Sequence, residues 1–493
     1  MPEEIVEKYE IRLNDVSAKV KIIKNKKEFV PIYYLIFPKI REATEAALDS
    51  IREKLVMDIA LNPEQIADKE EMEKIKKEFL EKSVGMIKEE IPGMSDDECK
   101  ILAEILLIKS LGLGEIEILL KDKNLEEIVV NSAKEPIWVY HRRIGWLKTN
   151  IFMRSETEIY NYAASIGRKV GMQITNLRPL MDAYLTTGDR ANATLFPISS
   201  SGNTLTIRKF ASRPWTITDF IELKTLTPET AAFLWLAIQY ELNVLIVGGT
   251  ASGKTSLLNV LATFIPPNHR IVSIEDTREI KLPKFLHWVP LTTRPPNPEG
   301  KGEVSMLDLM INSLRMRPDR IIVGEIRRAR EAEVLFEAIH TGHSVYSTLH
   351  ANTADETIRR LTTPPINISP TLLGALDLIA VMHRDRRREI RRLLEVCELT
   401  GGSGDMNVEL NPIYKWVPTT DEIIELNKPT RLLEELKLYT GMTTEEVDND
   451  LKEKIQILDW LVKNNVKDIN KVGKVISEYY TNKEELLKKI KKK

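Results

Sequence analysis

Cysteine is nearly absent: Cys99 and Cys397 are the only two in 493 residues, and they stand in unrelated contexts. Two thiols build neither a disulfide framework nor a four-cysteine zinc site, and a reduced, intracellular setting is the natural reading. Long apolar runs are also missing. No window approaches the roughly 18 uninterrupted apolar residues that a spanning helix needs, and the best runs, such as Val244 to Val247, have the length of a strand. The first ten residues carry four Glu and no apolar stretch, so no signal peptide is expected. Neither sign of charge dominates. Lys and Arg number 71 against 73 Asp and Glu, a net charge of -2. This argues against a globally basic nucleic-acid binder and against a disordered acidic chain. There is no internal repeat. What is present is ordinary for a folded chain with ample core, 43% hydrophobic and 29% charged residues. At about 150 residues per domain, roughly three domains are expected.

Five regions follow along the chain. Residues 1–118 are expected to form an α+β partner-docking region or a solvated helical cap. Ala18 to Ile23 and Tyr33 to Phe37 read as strands, and Lys39 to Ile59 and Glu64 to Glu90 as amphipathic helices. Pro92-Gly93 breaks the pattern before a helix start at Ser95-Asp96-Asp97-Glu98. Residues 119–212 read as a small α/β domain: strands at Ile128 to Val130, Ile137 to Tyr140, Ala191 to Pro197 and Thr204 to Phe210, and a helix at Glu156 to Gly171. Residues 213–227 are a linker, closed by the helix start Thr227-Pro228-Glu229. Residues 228–404 alternate short β runs (Val244 to Val247, Ile271 to Ile274, Arg320 to Val323, Val345 to Thr348, Leu378 to Met382) with helical patterns, which predicts a parallel sheet of βαβ units. Residues 405–493 read as short strands and then helices. Thr443-Thr444-Glu445-Glu446 fits a capping box, and Leu451, Ile455, Leu458 and Val462 share a face. Five of the last six residues are Lys, which reads as a frayed end or as an acidic-lipid contact.

Four segments carry chemistry. Gly248-Gly249-Thr250-Ala251-Ser252-Gly253-Lys254-Thr255 fits G-x-x-x-x-G-K-[ST], follows a strand and opens an apolar helix. Its glycines let backbone N–H groups curl around phosphates at a helix N-terminus. Lys254 would reach the β- and γ-phosphates of a nucleotide, Thr255 would ligate Mg²⁺, and Ser256 continues the cradle. A second strand runs into Gly324-Glu325, which places a carboxylate where parallel sheets bind ligands and where it can orient an attacking water. A third runs into Glu275-Asp276-Thr277-Arg278-Glu279. These acids suit a nucleophilic water (Glu275) or Mg²⁺ held partly through waters (Asp276, Glu279). The fourth, Thr341-Gly342-His343-Ser344-Val345-Tyr346-Ser347-Thr348-Leu349-His350, sets two of the seven His on either side of a strand. No Cys or third His lies at ligand spacing, so His343 and His350 read as nucleotide-sensing or coupling groups, not as zinc ligands.

Taken in this order, the phosphate loop, acidic box, strand-Gly-Glu and Thr-Gly-His box resemble those of the type II and type IV secretion ATPases, which include pilus-assembly, type II secretion and archaellum motors. Thr293-Arg294-Pro295-Pro296-Asn297-Pro298-Glu299-Gly300-Lys301-Gly302-Glu303-Val304 and Leu314-Arg315-Met316-Arg317-Pro318-Asp319 look most like the tight-adherence pilus branch and its archaeal relatives, and the helical tail after Leu451 looks archaeal. The resemblance spans roughly residues 115–400. It implies an α/β chain with a RecA-like ATPase core, preceded by a PAS-like domain, plus an N-terminal α+β region and a helical C-terminal region. It implies ATP and Mg²⁺ as cofactors and a ring homo-hexamer at the inner face of the membrane, acting on a polytopic membrane platform protein with no nucleic acid expected. Arginines of the smaller domain would sense the γ-phosphate, and the matching positions are Arg190 and Arg208; Arg294 joins the coupling group. Two alternatives stand beside a pilus motor: an archaellum motor, and a DNA-translocating motor for which Arg384-Asp385-Arg386-Arg387-Arg388, with Arg391 and Arg392, is the candidate patch. Two departures matter. Arg328 stands where the family often has Gly, which is expected to alter the turn beside Glu325. The four-cysteine zinc element of many bacterial members is absent, which disfavours that branch and any structural metal.

Overall fold

The computed structural model describes residues 4–14, 16–25, 28–37, 42–58, 69–185, 188–209, 213–294, 296, 300–401 and 408–491. Residues 295 and 297–299 of the 293–304 stretch, residues 402–404 of the glycine-rich stretch, residues 39–41, 59 and 64–68 of the two expected helices, and Phe210 lie outside the described residues. The chain forms two compact units, Met1–Ser212 and Arg213–Lys493.

The first unit is built on β1 (Glu4–Leu13), β2 (Val16–Lys24) and β3 (Ile32–Ile36). Then come α1 (Glu42–Asp58), α2 (Lys69–Glu90), α3 (Asp96–Ser110) and α4 (Glu115–Lys121). β4 (Leu125–Val130), β5 (Pro136–His141), β6 (Gly145–Phe152), α5 (Glu156–Lys169), β7 (Leu180–Tyr184), β8 (Arg190–Thr194) and β9 (Thr204–Arg208) complete it. All nine strands join one sheet in the order β1-β2-β3-β6-β5-β4-β9-β8-β7. The sheet is continuous across residue 118 because β3 pairs in parallel with β6, Ile32 with Lys148 and Tyr33 with Thr149. Alternation sets the buried face: Val16, Ala18, Val20 and Ile22 of β2 point into the core while Lys19 stays out. Helix starts follow the side-chain signals. Ser95 and Glu98 cap α3 reciprocally, and the Ser155 hydroxyl accepts the Glu158 N–H at α5.

The second unit contains α6 (Ile217–Glu222), α7 (Pro228–Gln239), β10 (Val244–Gly248), α8 (Lys254–Ala262), β11 (Ile271–Glu275), β12 (Trp288–Thr292), α9 (Met306–Ser313), β13 (Arg320–Val323), α10 (Ala329–His340) and β14 (Ser344–Leu349). It continues with α11 (Ala354–Thr362), α12 (Pro370–Leu373), β15 (Leu378–Asp385), β16 (Ile390–Thr400), β17 (Glu409–Val417) and β18 (Glu422–Glu425). Helices α13 (Arg431–Thr440), α14 (Thr444–Lys463), α15 (Ile469–Thr481) and α16 (Lys483–Lys491) end it. Its sheet runs β12-β11-β13-β14-β10-β15-β16-β17-β18. The first six strands in that order are parallel and the rest antiparallel. The expected parallel βαβ sheet is therefore present, and it extends past residue 400 through β17 and β18.

Each of β10, β11, β13 and β14 is buried along its whole length. That is why these strands lack a polar-out alternation, since helices cover both faces. Successive residues serve opposite cores: Val244 and Ile246 face one, Leu245 and Val247 the other. The C-terminal helices close the first of these. Trp235 of α7 stacks on Phe264 at 5.1 Å and donates its indole N–H to the Tyr480 hydroxyl of α15 at 2.7 Å. Among the described residues no helix is long and apolar enough to cross a membrane.

Candidate functional site

The C-terminal ends of β10, β11, β13 and β14 converge on one edge of the parallel sheet, where such sheets bind ligands. At the end of β10 the chain turns sharply through Gly248 to Gly253 and enters α8 at Lys254. Gly253 adopts a left-handed φ of 98° and no side chain caps the helix, so the first N–H groups of α8 stay open to a ligand. The loop leans on β15 closely: a Cβ at Gly248 would stand 2.4 Å from the Met382 carbonyl oxygen and 2.4 Å from Ser252 Oγ. The buried Ser252 Oγ has no hydrogen-bond partner among the described residues. Lys254 Nζ donates to the carbonyls of Gly248 (3.0 Å) and Gly249 (3.2 Å). Burial pushes its pKa below the ordinary lysine value, opposed by the nearby Glu325 carboxylate. An open helix end, an ammonium group, a cradle that only glycine fits and an orphan hydroxyl are the donor set of a phosphate site. Thr255 and Ser256 lie half-buried in the first turn of α8.

The acids come from the ends of β11 and β13, which lie beyond β14 in the sheet. Glu275, the last residue of β11, is 2% exposed. Its Oε1 accepts the N–H groups of Glu279 (2.8 Å) and Ile280 (2.9 Å), while Oε2 has no partner among the described residues. Burial raises its pKa to about 7, against the pull of those two N–H groups. Asp276 accepts the Thr293 hydroxyl at 3.2 Å on one oxygen and the Arg327 Nη1 at 2.7 Å on the other. Arg327 also donates Nε (2.9 Å) and Nη2 (2.7 Å) to Glu325 Oε2. The exposed Glu279 contributes its backbone to Glu275. The end of β14, between β10 and the acid-bearing strands, also meets the loop: the Thr250 hydroxyl and His350 Nε2 are 2.9 Å apart. Burial and then Lys254 lower the His350 pKa, opposed by Glu325.

Other expected residues stand elsewhere. His343 precedes β14 and His350 follows it, so the six residues of the strand set them about 20 Å apart on opposite edges of the sheet. His343 Nδ1 is engaged there with Thr341 and the Ala338 carbonyl. Arg294 donates to the Gly302 carbonyl at 2.7 Å and bridges to Val304, inside its own loop. Arg190 and Arg208 are register partners on β8 and β9 of the first unit; Arg190 forks onto Asp182, and Arg208 lies beside Glu127. Arg328 sits at φ -120°, an ordinary conformation, as the N-cap of α10, and its N–H donates to Glu331 at 3.1 Å. The turn therefore needs no glycine. Two residues at the site escaped the motif reading. Arg327 stands two residues after Glu325, at a position to which the motifs assign no role. Arg391 lay in a basic run read for DNA, yet its Nε donates to the Ala251 carbonyl of the phosphate loop at 3.1 Å.

These features define a parallel-sheet α/β protein with a lysine-tipped glycine loop facing paired strand-end acids. The chain belongs to the Type II/IV secretion system protein family, whose model matches residues 180–486. An uncharacterized protein of Methanocaldococcus jannaschii, MJ0900, is 33% identical over 466 residues, covering 88% of this chain and 84% of its own. The type IV secretion system protein PtlH of Bordetella pertussis is 31% identical over 306 residues, 55% of this chain and 89% of that one. Among solved structures, the Legionella pneumophila ATPase DotB matches with a TM-score of 0.43 at 20% identity, over 73% of this chain and 93% of its own.

Proposed function

We propose that this chain is an Mg²⁺-dependent ATPase, the motor of a secretion or pilus-assembly system, working as a homo-hexamer on a membrane platform protein from the inner face of the membrane. Family membership supports the system. The observation that carries the chemistry is Lys254 and the open α8 N-terminus, with the Glu325 carboxylate nearby at the end of β13. In this reading residues 248–256 hold the phosphates, with Lys254 on the β- and γ-oxygens. Mg²⁺ fits as a hard cation shared by Thr255, phosphate oxygens and waters, with Asp276 and Glu279 behind the waters. Among the described residues no three acidic, His or Cys side chains form a cage of their own. Glu325 orients the attacking water, Glu275 shapes the acidic pocket, and Arg190 and Arg208 supply charge to the γ-phosphate. His350, through Thr250, reports loop occupancy along β14, with His343 and Arg294 further along the coupling route. We read 119–212 as a PAS-like domain and 228–404 as the RecA-like core, flanked by a docking region and a helical tail.

The test is ATP turnover with binding measured in parallel. Lys254→Ala abolishes binding of a fluorescent ATP analogue; undiminished binding refutes the phosphate-loop role. Glu325→Gln binds normally but turns over at least about 100-fold more slowly. Normal turnover moves the water-orienting role to another residue.

A further inference from the structure

Glu325 has a fixed backbone. The Gly324 N–H donates to the Ile274 carbonyl at 2.9 Å, and the Thr348 hydroxyl donates to the Gly324 carbonyl at 2.6 Å. The Ile326 N–H donates to the Thr348 carbonyl at 2.9 Å. The segment is thus bolted between β11 and β14. The Glu325 side chain is held differently. Among the described residues, its carboxylate is hydrogen-bonded by Arg327 alone, twice and on the same oxygen, Oε2. Oε1 is left with its lone pairs for a water.

Arg327 is itself anchored. Its N–H donates to Glu331 Oε2 at 2.9 Å in the first turn of α10, and its third guanidinium contact reaches Asp276 at 2.7 Å. One planar fork therefore sets the distance and angle between the strand-end carboxylates of β11 and β13. Stability does not account for this arrangement. The Arg327 side chain is 59% exposed and Glu325 28% exposed, and ion pairs that open to water contribute about 0–1 kcal/mol.

We infer that Arg327 is a positioning residue for the hydrolysis proposed above, on which this inference rests: it orients the Glu325 carboxylate with Oε1 toward the attacking water and couples it to Asp276. Without the fork the Glu325 side chain rotates freely, and a displacement of about 1 Å at a reacting group costs on the order of 100-fold in rate.

The experiment measures kcat, KM for ATP, ADP affinity and melting temperature for the full-length protein. The variants are Arg327→Ala, Arg327→Lys, Glu325→Gln and the double variant Arg327→Ala/Glu325→Gln, with single-turnover measurements for the slow ones. Arg327→Ala is expected to lower kcat by about 10- to 100-fold, with KM and ADP affinity within about twofold and the melting temperature nearly unchanged. Arg327→Lys recovers part of the loss, because an ammonium group pairs with the carboxylates but cannot fork. In the Glu325→Gln background, removing Arg327 costs little more.

An unchanged kcat in Arg327→Ala overturns the inference. So does an equal further loss in the Glu325→Gln background, or a loss confined to KM. A rate recovered simply by raising protein concentration also overturns it, since that places Arg327 between copies of the chain. If Glu325→Gln itself turns over normally, the functional reading falls first. If Glu325→Gln is slow and Arg327→Ala is not, the positioning role alone falls.

Discussion

Glu275 is a carboxyl held in a nearly dry place, with two N–H donors on one oxygen and none on the other. Its pKa rises from an ordinary 4.5 to about 7 because burial penalises the charged form more than the two donors favour it. The folded chain therefore binds more protons than the unfolded chain between about pH 4.5 and 7. The stability contributed by this group falls as pH rises through that window. Glu275→Gln keeps an oxygen for the Glu279 and Ile280 N–H groups and is neutral throughout. Its melting temperature relative to the unsubstituted protein, measured without nucleotide, should rise between pH 5 and pH 8, by the equivalent of a few kcal/mol at most. A pH-independent difference refutes the buried-acid account. At this scale the sequence was most legible where chemistry is local. Gly248 to Thr255 and Glu325 could be picked out because the residues that act are adjacent in the chain. Arg391 could not, since it reaches Ala251 across 140 positions, and no spacing rule spans that distance.

Elements were readable when burial was one-sided or complete. The strands β10, β11, β13, β14 and β15 were legible as short β runs between helical patterns, and the capping box at Thr443 marks the start of α14 as expected. The strands β1 and β12 did not stand out. β1 is charged and largely exposed, and β12 carries Pro290, which usually disqualifies a run. Pro290 is tolerated because β12 is an edge strand, with only β11 beside it. Helix α15 shows tertiary packing overriding propensity. Gly473 lies in its interior, where Ala is ordinarily better by about 1 kcal/mol. A Cβ there would stand 2.3 Å from Pro283 Cγ and 3.4 Å from Phe285 Cζ, and the Pro283 ring has nowhere flexible to go. Overpacking of this kind costs about 1–3 kcal/mol. Gly473→Ala is therefore expected to lower the melting temperature by several degrees. A gain in stability shows that α15 can lift off the Pro283 loop without cost.

At the scale of the molecule, charge composition separates the readings that the fold leaves open. A DNA motor needs cations available for phosphates, and four of the six arginines of the β15–β16 hairpin are already engaged, Arg386 and Arg387 being exposed. Arg384 bonds Glu389, and Arg388 bonds Asp385 while lying over Trp416 at 5.6 Å. Arg392 forks onto Asp421 at 2.8 Å and 2.8 Å. Lys488, Lys489 and Lys491 crowd the last turn of α16, with Glu484 3.8 Å from Lys488. Near an anionic bilayer each such lysine gains about 1 kcal/mol, and the attraction is screened within about 10 Å at 0.1 M salt. No composition shift could disclose the pairing of β3 with β6, which joins residues more than a hundred positions apart, but the lack of a basic excess was visible from 71 against 73 charges. The comparison that follows is ATP turnover alone, with duplex DNA, and with vesicles containing anionic lipid, at 0.05 M and 0.5 M salt, with Glu325→Gln as the blank. Anionic vesicles should raise the rate severalfold at low salt and lose that effect at high salt, while DNA leaves the rate unchanged. Indifference to vesicles at both salt concentrations removes the lipid contact from the account. Strong stimulation by DNA overturns the secretion-motor assignment and points to the exposed Arg386 and Arg387 of the hairpin.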